Sequence, residues 1–166
     1  MKWKKSLLSV VGLVFLGTLP AAAVEPNQFI NEIKGKSPEH DGVLLRTYRI
    51  EDLDHDGEPE VLESVNSIEE NATGFLNAEL YPAFEWINVY KRKDNSYILA
   101  TEKFPNFLKD RKSFYQTWLK RLKNISRLDS DSQSLVKHNA EDFNRTLNDY
   151  IGRINQLLHK DNNDNS

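Results

Sequence analysis

No cysteine occurs among the 166 residues, so disulfide stapling, thiol redox chemistry and thiolate metal sites are all excluded. Histidine is almost as scarce. His40, His55, His138 and His159 form no H-x-H, H-E-x-x-H or H-x3-H pair, which leaves a zinc hydrolase without a ligand set. The chain also lacks a glycine-rich phosphate loop, a G-x-S-x-G nucleophile turn and any specific nucleic-acid signature. No internal repeat is visible, which removes solenoids and propellers. With 28% charged residues, seven Gly and six Pro, the composition is that of one globular domain.

One long apolar run is present, from Leu7 to Leu19, with Lys2, Lys4 and Lys5 before it and Pro20-Ala21-Ala22-Ala23 after it. It falls short of the roughly 20 residues that span a bilayer. The charged start, short apolar middle and small-residue end read as a Sec-type signal peptide over residues 1–23, cleaved after Ala23. No Cys follows for lipid attachment, so the mature chain is expected to begin at Val24 and to be secreted or periplasmic. Residues 24–160 then form a single α+β domain, and the polar stretch 161–166 is a disordered tail.

Periodicity separates that domain into two parts. Residues 27–34 suit a short helix stopped by Gly35. Four stretches with strand chemistry follow: 43–50, 61–65, 84–92 and 97–101, the last two joined by a four-residue turn at 93–96. In the first, Leu44, Tyr48 and Ile50 share a face that Arg46 interrupts. The period then changes to helical. Phe107, Phe114, Trp118, Leu122 and Ile125 recur at spacings of three, four and seven, and Val136, Ala140, Phe143, Leu147, Tyr150, Ile154 and Leu158 continue the pattern behind a cap at Ser130-Asp131. The expected architecture is an antiparallel β-meander of about four strands packed against a C-terminal helical hairpin.

Charge is polarised along the chain. Residues 39–85 carry thirteen Asp/Glu against two Arg, whereas residues 86–127 carry eleven Lys/Arg against three acids. Juxtaposition of the two segments in the fold is the expected outcome. Within the basic segment, Lys109, Arg111, Lys112, Lys120, Arg121, Lys123 and Arg127 lie on the first long helix, where such a face is either solvated or binds a polyanion.

Chemistry concentrates in Asp52-Leu53-Asp54-His55-Asp56-Gly57-Glu58-Pro59-Glu60. A hard cation such as Ca²⁺ takes about six to eight oxygen ligands. Alternating Asp52, Asp54 and Asp56 can turn inward while Leu53 and His55 point out, and Gly57 permits the sharp turn that follows. The carbonyl of Glu58 and the carboxylate of Glu60 complete the set, directly or through water. Without a cation these like charges repel.

The pattern D-x-D-x-D-G-x-x-E followed by a hydrophobic strand resembles the calcium loop of FG-GAP and VCBS-type repeats, and it is similar to the EF-hand and dockerin loop. In the EF-hand form the resemblance implies that Glu63, at position 12, is a further ligand. Pro59 at position 8 and strand-like flanks favour the strand–loop–strand form, in which Glu63 need not bind. The resemblance covers about twelve residues and implies a local calcium site. The function expected is thus that of an exported, non-catalytic calcium-binding domain, serving a binding or structural role with an extracellular protein or a polyanion. Two alternatives are a metal-assisted hydrolase using the Asp-rich loop, marked by a polar recess beside Asp54, and a polyanion or membrane-surface binder using helix 107–127.

Overall fold

A computed structural model describes residues 23–71 and 76–164. The expected export signal, apart from Ala23, lies outside the described residues. Helix α1 (Pro26–Lys34) starts on proline, whose missing N–H is no loss in a first turn, and buries Phe29. A two-residue hairpin of β1 (Glu39–His40) and β2 (Val43–Leu44) follows. Asp41 and Gly42 both take positive φ at its tip, 50° and 78°, the conformation a tight hairpin demands and Gly supplies without strain.

That tight hairpin corrects the sequence reading of one strand over 43–50. The chain breaks at buried Leu45, whose N–H bonds to the Pro38 carbonyl, and β3 (Arg46–Glu51) starts afresh. β4 (Glu60–Asn66), β5 (Glu85–Lys93) and β6 (Ser96–Leu99) complete an antiparallel sheet in the order β3-β4-β5-β6, the expected meander. Lys93 pairs with Ser96, so Asp94-Asn95 alone turns the last hairpin, two residues rather than four. Between β4 and β5, the short helix α2 (Ser67–Asn71) is capped by Asn66, whose side-chain oxygen accepts the N–H groups of Ile68 and Glu69.

Helices α3 (Pro105–Lys123) and α4 (Ser130–Asp164) are joined by a single 3₁₀ turn at Ile125–Arg127 and pack on each other. The cap of α4 lies one residue before the expected Ser130-Asp131. Asp129 accepts the Ser132 N–H at 2.8 Å and the Ser132 hydroxyl at 3.0 Å. Asn139 leaves helical geometry (φ −122°, ψ 20°), so α4 is kinked there, and the helix runs on to Asp164 within the stretch expected to fray.

The main core joins Leu108, Tyr115, Trp118 and Leu122 of α3 to Val136, Phe143, Leu147, Tyr150 and Ile154 of α4, closed by Leu80, Phe84 and Trp86 at the start of β5. Ala140, placed on the stripe by spacing, is exposed. Two hydroxyls fasten the helices to the sheet: Tyr115 donates to the Glu85 carbonyl at 2.5 Å and Tyr150 to the Phe84 carbonyl at 2.9 Å. Tyr150 also pairs with the Ser67 hydroxyl at 2.6 Å.

Cross-strand partners share a face of a sheet. One face carries Tyr48, Val61, Glu63, Asn88 and Tyr90, with α1 laid over Val61 and Tyr97 through Phe29, 5.2 Å from the Tyr90 ring and 5.1 Å from that of Tyr97. The opposite face carries Glu60, Leu62, Ile87, Val89 and Lys91, covered by Ala100 and Phe104. Oppositely charged segments meet as their patterning predicts: Lys91 reaches Asp54 and Asp56, Arg92 reaches Glu58, and Arg121 reaches Glu79.

Candidate metal centre

The Asp-rich segment is the connection from β3 to β4, so the sheet register holds both of its ends. Its backbone is folded by its own carboxylates. Asp52 accepts the N–H groups of Asp56 and Gly57 at 3.2 and 3.1 Å, and Asp56 accepts that of Glu58 at 2.8 Å. Gly57 has φ 88° and His55 φ 59°, the left-handed residues that curl the loop. His55 is exposed, as alternation suggests, but Leu53 turns in to pack beside Phe104 and Phe107.

Three of the six expected ligand residues converge. One carboxylate oxygen from each of Asp52, Asp54 and Glu60 lies within 4.8 Å of the others, a group that could hold a metal ion. Glu60, the first residue of β4, is 0% exposed. Its Oε2 accepts the Leu53 N–H at 2.9 Å, while Oε1 accepts no hydrogen bond and lies 3.4 Å from Lys91 Nζ. Burial raises the Glu60 pKa above the ordinary carboxylate value, against the pull of the Leu53 N–H and the Lys91 charge.

The side chains of the other three make other contacts, which for Glu58 leaves open the carbonyl that was its expected ligand atom. Asp56 turns to Lys91 at 2.7 Å, a bond that holds its pKa below the usual carboxylate range. Glu58 directs its carboxylate at Arg92, 3.5 Å away. Glu63 is not brought to the loop: it lies on the other face of β4, where Arg46 and Tyr48 bond one oxygen at 3.1 and 3.3 Å and Asn88 and Tyr90 bond the other at 2.9 Å each. Arg46, read from sequence as an interruption of an apolar face, is therefore the charge partner of that face. It also pairs with Glu70 at 2.8 Å.

Lys91 is the residue that sequence reasoning missed. Its ammonium donates to Asp54 at 2.6 Å as well as to Asp56, and its pKa is raised by both carboxylates. It stands far beyond the loop in sequence, and the sheet register makes it a neighbour: the rung after Val61 and Tyr90 brings Lys91 beside Glu60. Next to Asp54 lies a recess of about 340 Å³ bounded by Leu53, His55, Lys103, Phe104, Asn106 and Phe107. No protein-family model matches the chain, and comparison with curated proteins and with solved structures finds no match.

Proposed function

We propose that the protein is an exported, non-catalytic domain in which Asp52, Asp54 and Glu60 hold a calcium ion that ties β3 to β4, serving a binding or structural role outside the cytoplasm. The buried Glu60 oxygen that accepts no hydrogen bond, with only the Lys91 ammonium 3.4 Å away, carries this reading. A buried carboxylate oxygen so weakly paired costs free energy, and a cation shared with two neighbouring carboxylates pairs it more closely. Half-buried Asp52 and exposed Asp54 leave room for water to complete the six to eight oxygens that Ca²⁺ takes.

No helix among the described residues is long and apolar enough to cross a membrane. The charged start and Ala21-Ala22-Ala23 end of the first 23 residues support export, and intact mass tests it: a chain beginning at Val24 supports processing, and a full-length mass rejects it. Calcium titration by calorimetry tests the site. Millimolar-range binding that is lost in Asp54→Ala supports it, and no heat at several millimolar Ca²⁺ rejects it.

The recess beside Asp54 favours a second reading, metal-assisted hydrolysis, in which the ion would activate water at its mouth. Turnover of an activated phosphodiester that requires Ca²⁺ or Mg²⁺ and disappears in Asp54→Asn would support it; binding without turnover leaves the structural role.

A further inference from the structure

We infer that the side chain of Lys91 is the resident cation of the Asp-rich loop, and that a hard divalent ion enters by displacing it. The inference rests on the cation-binding reading above and names how that site is regulated. Lys91 Nζ stands 2.6 Å from Asp54, 2.7 Å from Asp56 and 3.4 Å from Glu60. Asp54 and Glu60 are thus common to the ammonium and to the three-carboxylate group. An ion at about 2.3–2.6 Å from oxygens of both would stand close to the ammonium on the same two carboxylates. Two positive centres that near one another repel strongly, so binding of one disfavours the other.

The geometry also gives the lysine somewhere to go. Its ammonium lies over the Phe104 ring, 5.6 Å from the ring centre, and the side chain keeps 29% of its exposure. Rotation about the side-chain stem carries the ammonium to water. The negative charge of the loop is partly balanced in either state, by a tethered monovalent cation or by a free divalent one. The tether weakens divalent binding by the free energy the lysine gains there, and by reciprocity the ion weakens the lysine contact by the same factor.

Calorimetric titration of the whole chain with CaCl₂, for wild type, Lys91→Met and Lys91→Arg, tests the exchange. Methionine keeps the apolar stem and removes the charge, so Lys91→Met should bind about tenfold to a hundredfold tighter, while Lys91→Arg should bind no tighter than wild type. Equal affinity in all three makes Lys91 a bystander and overturns the exchange while leaving the metal site intact. No binding in any of them overturns both. A wild-type measurement makes the result independent of variant folding: acetylation of Lys91 by a water-soluble ester, read by peptide mass spectrometry, should rise severalfold at saturating Ca²⁺ with Lys93 unchanged. Unchanged Lys91 labelling in calcium-bound protein overturns the exchange.

Discussion

Glu60 and Glu63 stand three residues apart on one strand and are both almost fully buried, at 0% and 3% exposure, yet they sit in opposite circumstances. Glu63 is saturated: Arg46, Tyr48, Asn88 and Tyr90 supply four donors to its two oxygens. Glu60 has one backbone donor and a lysine at the margin of contact. A carboxylate with every lone pair engaged is a fixed part of the sheet and has no capacity for a ligand. One left short of donors at a loop mouth keeps that capacity and carries the desolvation cost.

The comparison breaks most severely at Glu63. Replacing it by Ala leaves the Asn88 amide and the Tyr90 hydroxyl without their acceptor and Arg46 with Glu70 alone, and should cost about 3–5 kcal/mol, as for other buried ion pairs deprived of one partner; urea unfolding in chelator measures it. Calcium should act only through the other carboxylate. At a hundredfold excess over Kd an ion bound to the folded state alone adds about 2.7 kcal/mol, read as a rise in wild-type Tm that is absent in Asp54→Ala and retained in any Glu63 variant that still folds. In chelator, Glu60→Gln should cost less than about 1 kcal/mol, since the amide oxygen can still accept the Leu53 N–H. A loss as large as that of Glu63→Ala would show that Glu60 is as firmly engaged as its neighbour.

The smallest effect is on pH. Burial raises the pKa of Glu69 and of Glu85. The folded chain therefore keeps protons that the unfolded chain has released, and stability should rise as pH falls from neutral toward the ordinary carboxylate value. Below that value the trend reverses. Asp129, held low by the Ser132 N–H, and Asp56, held low by Lys91, contribute stability that is lost as they protonate. Urea midpoints against pH should show this maximum on the acid side of neutrality, with the rise reduced in Glu69→Gln.

The helices and the meander were legible because their signals are local: Leu108, Tyr115, Trp118 and Leu122 lie at helical spacing, and each strand meets its neighbour in chain order. The loop was legible for the same reason, by alternation of Asp52, Asp54 and Asp56. Glu63 entered the candidate set only by counting along the chain as an EF-hand does, and the strand–loop–strand form, in which it need not bind, is consistent with its place on the other face. An offset of three keeps two side chains together on a helix but sends them to opposite faces of a strand, so Glu60 and Glu63 part company once β4 is extended. Lys91 and Arg46 were invisible as partners because their roles depend on register between strands, which spacing within one strand does not encode. The break at Leu45 was missed because the Asp41-Gly42 turn was not weighed against the apolar run that follows it.

The hydroxyl of Tyr150 joins parts of the chain that lie far apart in sequence. Its bonds to the Phe84 carbonyl and the Ser67 hydroxyl close 66 and 83 residues of chain, whereas the last hairpin closes on Asp94-Asn95 alone. Loop closure adds about 0.6 kcal/mol for each doubling of length, so the hairpins close at less entropic cost than the docking of α4 against the sheet. Helix docking is thus the longest-range closure in the domain, whereas the Asp-rich loop is enclosed within the local β3–β4 pairing.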